Sequence, residues 1–387
     1  MSIAKKIFII SSVLLASVLF FLGIYNISFK EKTPAPAVAV TPNAKTETSI
    51  PEKTGGALGT KNKEKIYSLT NEAIIAPTFL EEEGKIEYYS RSNGSVYKIL
   101  PSGDEETLID NNNFTGLENI LWSSDKKKVI SRFNNGGKIE YSVYDYKTKK
   151  VSKLPSGASD VVWNNLGDGI LYKYTDLKGK KTLNSANSDG GNWKKIADIS
   201  SNNTSITPIP QSSFVSFWNS PDALEETSMN LVSSLGGETK KTFSGKYGAD
   251  YLWSPDGTKS LVSFVDAKGG SNISLATINS NGGELQALNV PTFASKCVWS
   301  KDNKIVYYAL PGFSSSNYVL PNDYQNKTIS STDTFWKIDI TSGKTERIVD
   351  TQEIKAAYDA TNLFLSPSED ILFFINRTDG KLYGINL

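Results

Sequence analysis

The segment WSPDGTK at 253–259 is the feature that most constrains this fold, because it recurs in altered form along the chain. Four of the recurring segments carry a tryptophan anchor at the same place: Trp122, Trp163, Trp253 and Trp299. These anchors lie 41, 90 and 46 residues apart, and the 90-residue interval accommodates two units of about 45. A self-similar period of about 40 to 50 residues is typical of a β-propeller.

Weaker versions of the segment complete the series. They place equivalents of the anchor at Phe79, Ile209 and Leu365, which gives seven units. Within a unit, an apolar strand ends at the anchor and a polar turn such as Ser-Pro-Asp-Gly follows. A second turn recurs as SNGS at 92–95, SDGG at 188–191, SLGG at 234–237, SNGG at 280–283 and TSGK at 341–344. Four strands per unit predict an all-β, seven-bladed β-propeller of four-stranded blades.

The repetition also predicts structural roles for its most regular residues. The tryptophan anchors are expected to pack between neighbouring blades. Asp125, Asp256 and Asp302 occupy the same turn position in different units, so we expect them to form turns rather than to catalyse a reaction. The last unit has only three strands, and we expect residues 65–70 to supply its fourth strand, because a propeller must protect its open strand edges.

The N-terminal part of the chain predicts a membrane anchor. Residues 1–6 form a short N-terminus, and residues 7–29 are an uncharged apolar run of 23 residues. A helix of that length spans about 34 Å, enough to cross a bilayer core. Residues 30–64 contain no aromatic residue and predict a flexible linker. The propeller would then occupy residues 65–387, outside the cytoplasmic membrane, with the N-terminus inside.

The anchor segment and INSNGGELQAL at 278–288 together resemble the repeat of TolB-like propellers, which are relatives of the WD-repeat family found in bacterial envelopes. The resemblance covers roughly residues 65–387. It implies an extracytoplasmic protein-binding platform. The chain departs from TolB itself in having no α/β domain before the propeller, so the resemblance does not imply a TolB partner.

Composition narrows the possible chemistry. The chain has no histidine, which excludes Ser-His-Asp catalysis and His-ligated zinc. Its one cysteine, Cys297, is expected to be a small buried apolar residue. The net charge is +1 without a basic stripe, so no nucleic-acid partner is expected. From these absences we expect no cofactor, no metal and no enzymatic activity.

The irregular loops predict where a partner would bind. The segments 219–228 and 311–332 depart from the repeat, and long loops on rigid scaffolds often carry function. The expected partner-binding residues are Phe313, Tyr318, Tyr324, Asp222 and Glu225. An alternative is that the longer insertion folds back to plug the central channel or merely decorates the rim.

These observations predict a membrane-anchored scaffold that binds unknown envelope proteins. A carbohydrate-active propeller using paired carboxylates is an alternative, for which Asp222, Glu225 and Glu226 are better placed than the turn residues. A structural envelope or appendage component is a further alternative.

Overall fold

The computed structural model describes residues 64–314 and 317–387. The regular secondary structure of this part of the chain is almost entirely β-strand, arranged in antiparallel sheets. The predicted membrane span 7–29 and nearly all of the predicted linker 30–64 lie outside the described residues. Among the helices that are described, none is both long and apolar enough to cross a membrane.

Three four-stranded sheets come first along the chain. The first contains β2 (Ile74–Leu80), β3 (Lys85–Ser90), β4 (Val96–Ile99) and β5 (Thr107–Asp110). The second contains β6 (Leu117–Trp122), β7 (Lys128–Asn135), β8 (Lys138–Asp145) and β9 (Lys150–Lys153). The third contains β10 (Ala158–Trp163), β11 (Gly169–Thr175), β12 (Lys181–Asn187) and β13 (Lys194–Ile199).

A seven-stranded sheet follows, and one long strand joins its two halves. It contains β14 (Thr204–Pro208), β15 (Phe214–Asn219), β16 (Glu226–Ser233), β17 (Lys240–Trp253), β18 (Lys259–Val265), β19 (Ile273–Asn279) and β20 (Gln286–Val290). The first half of β17 pairs with β16, and its second half pairs with β18. Two sets of four strands therefore share a single continuous strand.

Two four-stranded sheets complete the structure. One contains β21 (Cys297–Trp299), β22 (Ile305–Gly312), β23 (Thr332–Asp339) and β24 (Thr345–Arg347). The other contains β25 (Ala360–Leu365), β26 (Ile371–Asn376), β27 (Leu382–Asn386) and β1 (Ile66–Ser68). The helical turns are short: α1 (Asn322–Gln325) and two 3₁₀ turns, Ala294–Lys296 and Thr351–Glu353.

The last sheet takes its outer strand from the other end of the described chain. Ile66 lies opposite Ile385 and Ser68 lies opposite Tyr383 in an antiparallel pair. The Leu69 N–H continues the ladder by donating to the Leu382 carbonyl at 2.8 Å. The outer edge of β27 is therefore paired, which removes one exposed strand edge.

Buried apolar clusters between consecutive sheets close the ring. One cluster joins Ile75 of the first sheet to Ile120 of the second. Another joins Phe373 of the last sheet to Ile74 of the first. Equivalent clusters lie between the other neighbouring sheets of the described chain, and one more lies between the two halves of the seven-stranded sheet. Because the first sheet also packs on the last, the sheets form the closed arrangement of a β-propeller.

Each tryptophan anchor ties its unit to the preceding one by a hydrogen bond from its indole Nε1. The acceptors are the carbonyls of Ala76, Leu121 and Leu252, and the hydroxyl of Ser216, at 2.8–3.2 Å. Trp163, Trp253 and Trp299 are buried, whereas Trp122 is half-buried. The repeated tryptophans therefore join neighbouring units both by packing and by a directional bond.

The repeated aspartates stabilise the turns that follow the anchors. In three units the aspartate Oδ1 accepts a hydrogen bond from the serine two residues earlier, at 2.6 Å, and from the backbone N–H two residues later; these aspartates are Asp125, Asp256 and Asp302. This bonding occupies the carboxylates with turn geometry, as the sequence pattern predicts.

The turns fall at two ends of the ring, because antiparallel strands alternate in direction. The anchor turns and the turns at 188–191, 234–237, 280–283 and 341–344 lie at one end. The segment SNGS at 92–95 instead joins β3 to β4, so its grouping with these turns is wrong. We call the opposite end the loop face. It carries the connections between second and third strands and between consecutive units.

Candidate functional site

The long insertion folds back over the loop face. Residues 313–331 connect β22 to β23 and include α1. Leu320 and Tyr324 are buried in an apolar cluster that also contains Ala223, Val265 and Phe293. Phe313 and Tyr318 are partly buried against the same cluster, with ring centroids 4.9 Å apart. The insertion is therefore packed onto the ring.

Hydrogen bonds tie the insertion to a neighbouring loop. The Asn322 amide donates to Asp222 Oδ1 at 2.8 Å, and its oxygen accepts from the Ala223 N–H at 2.8 Å. The Leu320 N–H donates to the Gly270 carbonyl at 3.0 Å. The bond from Asn322 is the largest cause of a lowered pKa at Asp222, so this carboxylate is ionised near neutral pH.

A buried ionic cluster fixes the other side of the insertion. Lys296 Nζ donates to Asp333 Oδ2 at 2.6 Å, to Asp359 Oδ1 at 2.9 Å and to the Ala360 carbonyl at 2.8 Å. The Tyr324 hydroxyl donates to Asp359 Oδ1 at 2.5 Å. We call Lys296, Asp333, Asp359 and Tyr324 the ionic cluster. It connects the 3₁₀ turn before β21, the start of β23, the segment before β25, and α1.

Burial and charge act in opposite directions in this cluster. Burial alone would lower the pKa of Lys296, but the negative charges beside it, Asp333 first, raise that pKa above its usual value. Burial raises the pKa of Asp333, and Lys296 offsets only part of this effect. Burial alone would also raise the pKa of Asp359, but Lys296 and the Tyr324 hydroxyl hold it below its usual range. The lysine is therefore charged and is held as the counter-ion of the carboxylates.

Beside the insertion lies a polar cleft of about 800 Å³. Its walls come from the β13–β14 connection, the segment 217–230 and α1. Side-chain amides dominate the lining: Asn202, Asn203, Asn219, Asn230, Asn322, Gln325 and Asn326. Asp222, Glu225 and Trp218 also line it, and no lysine or arginine does within the described part of the chain. We call this site the polar cleft.

A smaller cavity of about 170 Å³ lies next to the polar cleft and shares Pro221 and Gln325 with it. We call it the inner cavity. Asp250 and Ser263 line it from β17 and β18, and Arg377 lines it from the start of the β26–β27 turn. Burial raises the pKa of Asp250 to about 6. The Tyr251 N–H and the Trp218 indole offset only part of that rise.

A third cavity, of about 640 Å³, lies along β7 and β8 and reaches the loop face. Phe114, Phe133, Tyr141 and Tyr144 contribute its aromatic lining. Phe114 is 41% exposed and packs edge-on against Phe133. We call this site the aromatic groove.

The predicted partner-binding residues separate into two groups. Asp222 and Glu225 both line the polar cleft, where Glu225 is exposed. Phe313, Tyr318 and Tyr324 instead belong to the apolar cluster below the insertion. Burial leaves the Tyr324 ring little surface to offer a partner. A partner-binding role for these five residues stays a prediction.

Sequence reasoning missed Asp250 and Lys296, although a signal was present. Each lies three residues before a tryptophan anchor, as do Asn119 and Asp160. Asn119 and Asp160 also line a cavity. The position three residues before the tryptophan anchor therefore carries a polar side chain in four units.

Several solved structures resemble this chain at low sequence identity. An oligogalacturonate lyase in complex with manganese matches with a TM-score of 0.59 and 14% identity, over 84% of this chain and 93% of the lyase. The oligogalacturonate lyase of Vibrio parahaemolyticus matches with a TM-score of 0.60 and 12% identity, over 84% of this chain and 94% of the lyase. The β-propeller domain of the Trilobed protease from Pyrococcus furiosus matches with a TM-score of 0.52 and 14% identity, over 81% of this chain and 95% of that domain. TolB from Acinetobacter baumannii matches with a TM-score of 0.46 and 14% identity, over 69% of this chain and 63% of TolB.

No family model and no curated protein matches the chain. The expectation that the domain has no enzymatic activity is nevertheless wrong, because lyases share this fold over nearly their whole length. At 12–14% identity the likeness concerns the fold and transfers no active site.

The manganese of the matching lyase does not fit the side chains of this chain. Within residues 64–314 and 317–387, no group of three or more His, Cys, Asp or Glu side chains could hold a metal ion. Cys297 is buried, and burial raises the pKa of its thiol. The closed ring of antiparallel sheets and the matching propeller domain together show that the chain has a β-propeller fold.

Proposed function

We propose that this protein is an envelope propeller that binds a neutral oligosaccharide in the polar cleft. The lining of the cleft is the observation that carries the proposal. Its amide side chains each offer both donors and an acceptor, which suits the hydroxyl groups of a sugar.

The absence of lysine and arginine from the lining specifies the sugar further. A uronate carries a carboxylate, which a cationic side chain would normally pair with. Here the two charged side chains of the lining, Asp222 and Glu225, are themselves acidic. We therefore propose a neutral glycan, unlike the oligogalacturonate named for the matching lyases.

We propose that any cleavage of a glycosidic bond would use the same two carboxylates, Asp222 and Glu225. Glycosidases use an ionised carboxylate together with a second carboxyl group across the bond. Asp222 has a lowered pKa and suits the ionised role. Glu225 lies on the same loop and is exposed to the cleft.

The experiment is a titration of the full chain with neutral and acidic oligosaccharides from envelope and plant polymers. The variant Asn203→Ala/Asn230→Ala should weaken binding at least tenfold, because both amides line the cleft. Asn281→Ala is the matched control, since Asn281 lies in an exposed turn at the opposite end of the ring. Loss of binding in the control, or equal binding by the double variant, would refute the site. New reducing ends that disappear in Asp222→Asn would add catalysis to binding.

A second candidate function is a scaffold for an envelope protein, favoured by the aromatic groove. Exposed aromatic side chains in a concave site are typical interface anchors. Phe114→Ser should reduce cross-linking of the full chain to a partner in envelope extracts, whereas Phe214→Ser, at an exposed site on β15, should not.

We also propose that residues 7–29 anchor the protein and that the ring has seven blades. The blade count follows if the seven-stranded sheet is two blades sharing β17. The anchor predicts that the full chain stays in the membrane fraction after alkaline extraction, with the propeller accessible to protease from outside. Release into the soluble fraction would contradict it.

A further inference from the structure

We propose that the inner cavity binds a small organic cation carrying an ammonium group, with Asp250 as its counter-ion. The proposal concerns a site separate from oligosaccharide binding. It rests on the position of Asp250, on the charges around it and on the size and walls of the cavity.

The backbone directs Asp250 into the inner cavity. Gly248 has a φ of +57°, and the register of β17 against β18 shifts between Tyr247 and Asp250. Such a bulge re-aims the following side chains. Asp250 then lies opposite Ser263, and cross-strand neighbours share one face of a sheet. Ser263 also lines the cavity, so both side chains face the same space.

Among the residues that the structure describes, no lysine or arginine pairs with Asp250. The groups that act on its pKa are burial, the Tyr251 N–H and the Trp218 indole. Arg377 lines the same cavity but is directed elsewhere: its guanidinium lies 4.1 Å from the Tyr324 ring centroid and donates to the Tyr324 carbonyl at 2.5 Å. It also lies 3.6 Å from Asp359.

The charged groups of the ionic cluster and the inner cavity leave one negative charge uncompensated. Lys296 and Arg377 are cationic, whereas Asp333 and Asp359 are anionic, so those four groups balance. Asp250 adds a carboxylate to that balanced set. Burying an unpaired charge is costly, and a bound monocation would remove that cost.

The walls suit an organic ammonium rather than a bare metal ion. Phe293, Tyr324, Pro221 and Pro321 all line the cavity, which makes part of its wall apolar and suits the carbon atoms of an organic ligand. Ser295, Thr361 and Gln325 add groups that can bond a hydroxyl. With one carboxylate in the lining, the site offers few of the oxygen ligands that a divalent cation requires.

The size of the cavity limits the ligand. Each water molecule occupies about 30 Å³ of liquid, so 170 Å³ holds about six water-sized groups. A ligand of about four to six non-hydrogen atoms therefore fits, such as an amino alcohol. A four-atom ligand reaches at best a Kd of roughly 40 µM.

Binding should weaken as the pH falls through about 6, because Asp250 then becomes protonated and loses its charge. The other ionisable groups around the carboxylate are Arg377 and Tyr324, which line the cavity, and Tyr251, whose pKa burial and Asp250 raise. Burial raises the pKa of both tyrosines above its usual value, so neither tyrosine ionises between pH 5 and 8.

The experiment uses ethanolamine as the probe and the full chain as the receptor, with calorimetric titration at pH 7.5 and pH 5. Ethylene glycol is the uncharged comparison of the same size, and glycine and potassium chloride are the zwitterionic and inorganic comparisons. Ethanolamine should bind at pH 7.5, raise the unfolding temperature and bind at least tenfold more weakly at pH 5. Ethylene glycol, glycine and potassium should each bind at least tenfold more weakly than ethanolamine.

Two variants separate the site from general effects. Asp250→Asn should abolish ethanolamine binding while unfolding at or above the wild-type temperature, since a neutral side chain suits the buried position. Asp266→Asn, at an exposed aspartate paired with Lys246, should leave binding unchanged. The proposal is overturned by equal binding of ethylene glycol or potassium, by unchanged binding in Asp250→Asn, or by no ethanolamine binding at about a hundred times the limiting Kd. The last result would mean that water alone fills the cavity.

Discussion

Replacing Lys296 with methionine should strongly destabilise the ring. The side chain is 1% exposed, and its ammonium group contacts two carboxylates that are themselves buried. Methionine keeps a similar length but removes the charge, so Asp333 and Asp359 remain buried with only Arg377 nearby. Breaking a buried pair in this way costs about 3–5 kcal/mol. Domains are typically stable by only about 5–15 kcal/mol, so the variant should lose a large fraction of its stability.

Urea unfolding followed by tryptophan fluorescence measures the effect. The matched control is Lys304→Met, because Lys304 is exposed and lies 3.8 Å from the exposed Asp302, and surface pairs contribute about 1 kcal/mol or less. In Lys296→Met the pKa values of Asp333 and Asp359 should rise, since burial is no longer offset by the ammonium group. A carboxyl with a raised folded-state pKa loses stability as pH rises, so the deficit relative to wild type should be smaller near pH 4 than near pH 7.

Two results would refute this reasoning. A free energy of unfolding within about 1 kcal/mol of wild type would show that the ionic cluster does not stabilise the fold. A deficit independent of pH would show that the loss comes from packing, not from uncompensated charge.

Three further outcomes follow from the structure. Trp253→Ala should lower the free energy of unfolding by about 3–5 kcal/mol, because a buried ring and its hydrogen bond to Ser216 are lost. Trp193→Ala, at a 62% exposed site, should change that free energy little. Similar losses in the two variants would refute the role of the anchor. Deleting 65–70 should lower the unfolding temperature sharply, since it removes buried apolar side chains and uncovers β27, and an unchanged temperature would contradict that pairing. The free energy of unfolding of the wild type should fall by up to roughly 3 kcal/mol as pH rises from about 4 to about 6, because the folded-state pKa of Asp250 is raised. Asp250→Asn should lack this loss. Parallel pH profiles of the two proteins would contradict the role assigned to Asp250.

The repeat made the architecture predictable from sequence. Turn geometry and anchor packing are local or recur at fixed spacing, so Trp253 and Asp256 could be interpreted from a single unit and its copies. The pairing of β1 followed from counting strands, because the last unit contains only three. These inferences needed no knowledge of contacts between distant side chains.

The ionic cluster could not be predicted in the same way. Lys296 meets Asp333 and Asp359 across 37 and 63 positions of sequence, through the packing of different units. Tyr324 was expected to be an exposed interface residue because the insertion as a whole is rich in serine and asparagine. In the structure its hydroxyl bonds to a buried carboxylate, and no pattern within the insertion records that partner.

The pairing of β1 with β27 has a consequence for how the domain forms. The Leu382 N–H bonds to Thr70 across 312 positions, so the contact is among the most non-local in the described chain. Such contacts slow folding, because a long loop must close before they form. A chain emerging from a ribosome or a translocon can therefore assemble its earlier units while the first strand is still unpaired. We expect the finished domain to be far more resistant to proteolysis than any shorter nascent chain, with that resistance acquired in one step once β27 is available.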